Sequence, residues 1–133
     1  MLVDDNNDHL KLFTMILQEK GFSVDTFSDS AAALLKFRPN YYDLVILDYR
    51  MPNLNGLELY RIIRKLDPTA KGILLTASHD QLIESKKTPV DDHLRVVTKP
   101  ITNEKFMLEI GSCFRPIQGF KSLKADLFGN TSV

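Results

Sequence analysis

Five residues of this chain have the types and positions to do chemistry together: Asp4, Asp5, Asp48, Thr76 and Lys99. All of them stand at or just past the end of a short apolar run. Asp4 and Asp5 follow Met1-Leu2-Val3, Asp48 follows Leu44-Val45-Ile46-Leu47, Thr76 follows Ile73-Leu74-Leu75, and Lys99 closes the run that begins at Leu94. In open α/β sheets, ligands bind at the carboxyl ends of the strands. Three carboxylates gathered there repel one another, by about 4 kcal/mol per pair at 4 Å and an effective dielectric of 20. Either some protonate or a cation holds them. Mg²⁺ suits the cluster, because it takes oxygen ligands, keeps several waters and binds one or two carboxylates plus a phosphate. Zinc does not: His9, His79 and His93 have no ligand spacing and no cysteine pair beside them. These histidines read as solvated surface residues.

Taken alone, Asp4 and Asp5 are equally well explained as caps on the helix that follows them. Asp48 is harder to explain structurally, since an aspartate at the end of a central strand gains nothing by propensity. Lys99 precedes Pro100, which holds the strand end so that the lysine is aimed back at the crevice.

These residues need a scaffold, and the chain repeats one unit: an apolar run, a polar turn, then helical periodicity. Asn6 to Lys20 is a helix with Leu10, Phe13, Ile16 and Leu17 on one face, closed by Gly21. Residues 22 to 27 alternate like a strand, and Ser28 or Asp29 caps a helix to Phe37. The run at 44–47 is apolar on both faces, as in the centre of a parallel sheet. A helix over 54–66 turns Leu59, Ile62, Ile63 and Leu66 inward. Strands at 73–75 and 94–97 flank a short helix at 79–87, and a last helix over 102–114 carries Phe106, Leu108, Ile110 and Cys113. Five βα units imply an α/β fold: a doubly wound, five-stranded parallel sheet in the flavodoxin-like order 2-1-3-4-5, with helices on both faces.

The 133 residues are one domain's worth. Lys plus Arg and Asp plus Glu are 17 each, so the chain lacks the basic surplus expected of a nucleic-acid binder. The longest apolar run, Ala31 to Leu35, is five residues against the ~20 of a membrane span. A single cysteine, Cys113, makes neither a disulfide nor a CxxC motif. With no signal peptide at the start, a cytoplasmic protein without direct nucleic-acid or membrane binding is expected. The domain is expected to end at 114. Residues 115–133, with Pro116 and several small residues, read as a flexible tail or a short docking helix.

The motifs resemble those of response-regulator receiver domains of two-component systems, the CheY-like family. Leu2-Val3-Asp4-Asp5-Asn6 looks like the family's opening acidic pair. Residues 45–56 carry the complete Asp-x-x-Met-Pro-x-x-x-Gly pattern, from Asp48 through Met51 and Pro52 to Gly56. Leu74-Leu75-Thr76-Ala77 resembles its hydroxyl strand, and Val97-Thr98-Lys99-Pro100 its Lys-Pro signature. The resemblance covers residues 1 to about 114, and the four motifs in this order and spacing are highly specific.

The resemblance implies that Asp48 is the phosphoacceptor, taking a phosphoryl group from a histidine kinase or a histidine phosphotransfer protein. It implies that Asp5, Asp48 and the backbone carbonyl of Arg50 bind Mg²⁺ directly and that Asp4 acts through water. Lys99 and the Thr76 hydroxyl would meet phosphoryl oxygens, and Ala77 would offer its N–H. The Lys99–Pro100 bond would be cis. The domain would then signal to a downstream protein or output domain, as a monomer or weak dimer. It would not be an enzyme beyond self-phosphorylation from phosphodonors and slow self-dephosphorylation.

Three departures bear on the output. The first strand keeps three residues before Asp4 where the family has a few more, so either the true start lies upstream or the strand is short and less stable. Val96 replaces a switch aromatic, and 88–93 lacks a Gly-Ala pair. Two rival readings stand beside this one. A phosphatase of the haloacid dehalogenase type needs a second Asp where Arg50 stands. A receiver-fold interaction module that is never phosphorylated is the alternative.

Overall fold

The structure, a computed structural model, describes residues 1–78 and 93–114. Among these are five strands and four helices, in the order β1 Leu2–Val3, α1 Asn7–Glu19, β2 Thr26–Phe27, α2 Ser30–Lys36, β3 Val45–Asp48, α3 Gly56–Leu66, β4 Gly72–Thr76, β5 Leu94–Thr98 and α4 Asn103–Cys113. The helix expected at 79–87 and the tail at 115–133 lie outside the described residues. All pairings are parallel and the order is β2-β1-β3-β4-β5, as expected.

A strand's side chains alternate between faces, so the central strands here feed two cores. Val3, Val45, Leu47 and Leu74 pack with Ala33 of α2 and Leu57, Leu59, Tyr60 and Ile63 of α3. Leu2, Leu44, Ile46, Ile73 and Leu75 pack on the other face with Leu10, Phe13, Ile16 and Leu17 of α1 and Phe106 and Ile110 of α4. Phe13 and Phe106 stack at 4.5 Å between ring centres, joining the two helices of that layer. No described helix is long and apolar enough to cross a membrane.

Three expectations about packing need correction. The strand expected over 22–27 is only Thr26–Phe27, because its one neighbour, β1, offers just Leu2 and Val3 to pair with. Leu108 is 72% exposed: it sits two residues from both Phe106 and Ile110, on the opposite side of the turn. Leu66 is half exposed at the last residue of α3, while Leu57 and Tyr60 are buried instead. The α1 face stands as expected, and Gly21, at φ 91°, takes the left-handed turn after the helix. Asp29, not Ser28, caps α2 through Ala31 N–H at 3.2 Å.

The base of the sheet is tied by Asp67, which follows α3. Its carboxylate accepts Asn40 N–H at 2.9 Å and both Thr69 N–H and Thr69 O–H, at 3.1 and 2.7 Å. Burial alone would raise its pKa, but the Thr69 and Asn40 hydrogen bonds win and hold it below the ordinary value. A depressed carboxylate contributes stability above its unfolded pKa, near 4, and loses it as pH falls. Asp67→Ala is expected to cost about 2–3 kcal/mol at pH 7, the scale of hydrogen bonds to a charged group. Urea unfolding at pH 7 and pH 3 checks it: the gap between wild type and variant should shrink at the lower pH. At the other end of the chain, the Met1 amine is buried and donates to Leu44 O at 3.0 Å.

Candidate functional site

Asp4 follows β1 and Asp48 ends β3, and these strands are neighbours with Val3 opposite Leu47. That register brings Asp4, Asp5 and Asp48 together, with one carboxylate oxygen of each within 4.8 Å of the others. Asp4 is 2% exposed and Asp5 is open to solvent. From β5, two strands away from β3, Lys99 reaches over and donates to Asp48 Oδ1 at 2.7 Å. Its Nζ lies 3.8 Å from Asp4 Oδ2. The Lys99 backbone is held by its N–H to Thr76 O at 2.7 Å, and the Lys99–Pro100 peptide is cis.

A cavity of about 320 Å³ opens above these groups, lined by Asp4, Asp5, Asn6, His9, Asp48, Arg50, Ala77 and Lys99. Burial raises the Asp48 pKa; the Lys99 hydrogen bond and charge oppose the rise, while Asp4 and Asp5 add to it. Burial is the largest of these effects, so the net rise reflects chiefly the cost of holding the Asp48 charge out of water. Asp4 Oδ2 is buried and accepts no hydrogen bond. Three carboxylates converging on one cavity, two of them open to it beside a buried third, are the donor set of a hard, oxygen-seeking divalent cation. The residues present fit such an ion.

Of the expected residues, Asp4, Asp5, Asp48, Arg50 and Lys99 all line one cavity. Thr76 does not line it: it is buried at the end of β4, with Oγ1 3.5 Å from both N and O of Ser78. Its neighbour Ala77 lines the cavity instead. The capping reading of Asp4 and Asp5 fails, since Asn6 caps α1 by accepting from Asp8 and His9 N–H. The reading of His9 as a solvated surface residue also fails, because its ring is half exposed but Nδ1 is buried 3.4 Å from Asp4 Oδ2. The sequence signal for it was the cap itself: Asn6 is followed three residues later by His9, on the first turn facing the acids.

The loop after Asp48 is shaped by sequence as well. Asn53 takes a positive φ of 69°, and Asn55 and Glu58 form a reciprocal capping box that starts α3. Gly56 N–H donates to Tyr49 O at 2.8 Å, closing the loop against the strand end.

Known proteins agree with this geometry. The family model of the response regulator receiver domain matches residues 1–110. The transcriptional regulatory protein RprY of Bacteroides fragilis is 28% identical over 130 residues, 96% of this chain and 54% of that protein. The response regulator ArlR of Staphylococcus aureus is 31% identical over 117 residues, covering 86% of this chain and 52% of that protein. Among solved structures, the response regulator TrrA of Thermotoga maritima, in complex with Mg²⁺ and BeF, is 35% identical with a TM-score of 0.73, over 84% of this chain and 95% of that one. The chain spans about half the length of the curated relatives it matches. With the five-stranded order, the acidic cluster and this match in agreement, the chain belongs to the receiver domain family of two-component response regulators.

Proposed function

We propose that Asp48 is the phosphoacceptor and that residues 1–114 are the receiver unit. The observation that carries this is Asp48 paired with Lys99 at 2.7 Å inside a cluster of three carboxylates. Asp5, Asp48 and the Arg50 carbonyl would hold Mg²⁺, with Asp4 acting through water. When bound, the ion neutralises charge on the phosphoryl oxygens. The Mg²⁺–BeF complex of TrrA supports an ion of this kind in a similar fold.

In the reaction, an Asp48 carboxylate oxygen attacks phosphorus, and the P–N bond of a phosphohistidine breaks as the new P–O bond forms. The donor is a histidine kinase or a histidine phosphotransfer protein. Lys99 exchanges its contact with Asp48 for a phosphoryl oxygen. The Thr76 hydroxyl turns from Ser78 toward the same group, and the Ala77 N–H donates to it. The protein takes up one equivalent and does not turn over a substrate. Arg50 and Ser78 carry no carboxylate or amide to orient an attacking water, so loss of the phosphoryl group is slow. Output goes to a downstream protein or an output domain, as the regulatory names of RprY and ArlR suggest for their own chains.

The test is intact-mass measurement with phosphoramidate, with and without Mg²⁺. One acid-labile phosphoryl group is expected, only with the metal. Calorimetry should find Mg²⁺ affinity at least tenfold weaker in Asp5→Ala, because a small ion of this type depends on one or two carboxylates. Absence of labelling in the wild type would favour the interaction-module alternative.

A further inference from the structure

We propose that His9 is a positioning residue for the metal site: its Nδ1–H holds Asp4 Oδ2, so that Asp4 stays turned toward the cation. The inference rests on the reading of Asp4, Asp5 and Asp48 as a cation cluster.

Asn6 is the centre of the arrangement. Its backbone N–H donates to Asp4 Oδ1 at 2.9 Å, and its side-chain Oδ1 accepts His9 N–H at 3.1 Å. One residue therefore fixes one oxygen of Asp4 and the backbone of His9 together. The second oxygen, Oδ2, is left facing His9 Nδ1 at 3.4 Å. Both atoms are buried and neither has a hydrogen-bond partner. A buried polar atom left unpaired costs about 1–3 kcal/mol, and a charged one more. Each of these two atoms is the nearest remedy for the other. A few tenths of an ångström of closure, with the proton on Nδ1, satisfies both.

The rest of the site gives this contact its consequence. The other cation near Asp4 Oδ2 is Lys99, 3.8 Å away and already donating to Asp48 at 2.7 Å. With His9 on Oδ2, Asp4 makes no demand on Lys99, and the lysine stays with the acceptor aspartate. Without His9, Asp4 is still held through Oδ1 by Asn6 N–H, but its Oδ2 is left to draw Lys99 away from Asp48, which disturbs the carboxylate arrangement. Asp4 meets the ion through water, and loss of the hydrogen-bonded groups behind the direct ligands commonly costs 10–100-fold in metal affinity.

The side chain of His9 is 42% exposed, so its replacement leaves the fold intact, which circular dichroism verifies. Asn carries its amide nitrogen on Cγ, where histidine carries Nδ1, whereas Leu fills similar space with no donor. Mg²⁺ binding by calorimetry is expected to weaken about tenfold in His9→Leu and to return to within about threefold of wild type in His9→Asn. In the metal-free wild type at pH 8, nitrogen NMR should find the His9 ring proton on Nδ1. A proton on Nε2, unchanged affinity in His9→Leu, or no rescue by His9→Asn each overturns the role of His9 alone. A wild-type protein that binds no Mg²⁺ overturns the metal reading itself, and this role with it.

Discussion

Asp48→Asn is expected to take up no phosphoryl group and, at the same time, to be more stable than the wild type without metal. The first effect is complete, because an amide lacks the anionic oxygen that attacks phosphorus. The second follows from electrostatics. Burial and the nearby Asp4 and Asp5 raise the Asp48 pKa, and Lys99 only partly offsets them. A carboxylate whose folded-state pKa is raised disfavours the fold as pH rises through it. The stability gain should therefore be present at pH 7, read as a higher Tm for the variant. It should vanish as pH falls below the carboxylate range, the reverse of the behaviour at Asp67. Saturating Mg²⁺ should invert the order, since an ion held by the native wild type stabilises it by mass action. Thermal melts of both proteins at pH 7 and pH 4, with and without Mg²⁺, read all of this. Equal melting temperatures in metal-free protein at pH 7 would mean that neither burial nor the neighbouring acids penalise the Asp48 charge.

Gly56→Ala should damage the fold and the site together. A Cβ at Gly56 would lie 2.3 Å from the Asp48 carbonyl oxygen, 3.0 Å from its carbon and 2.6 Å from Leu74 Cδ1. Overpacking costs about 1–3 kcal/mol where side chains can yield. Here the closest atoms are backbone of the acceptor residue, so the expected loss is at or above the top of that range, about 3 kcal/mol. Relief requires the start of α3 to move away from β3, breaking the Gly56 N–H bond to Tyr49 and displacing Asp48. Mg²⁺ affinity should fall with stability. Gly111→Ala in α4 is the contrast: nothing lies within 4 Å of its added carbon. That change should stabilise by about 0.5 kcal/mol, the usual gain from removing a helical glycine. Urea midpoints moving in opposite directions for the two variants would confirm that contact, not helix propensity, decides Gly56.

Residue order alone carried the strand ends and therefore most of the site. Leu44 to Leu47 is apolar on both faces because both faces of β3 are covered, and that pattern is local. The change from Leu47 to Asp48 is local too, as is the cap-and-period signal that places Leu10, Phe13, Ile16 and Leu17 on one side of α1. Local patterns failed where a neighbour decides. The alternation at 22–27 is genuine, but β2 extends only as far as β1 offers backbone to bond. Leu108 is apolar, yet it faces away from the sheet that Phe106 and Ile110 meet. The pairing of His9 with Asp4 depends on how the Asn6 turn folds back, and the 2.7 Å approach of Lys99 to Asp48 depends on crossing from β5 over β4 to β3. Periodicity reports which way a side chain points within its own element. Distances between side chains from different elements exist only once the sheet has set the register, and the chemistry of this site lies in those distances.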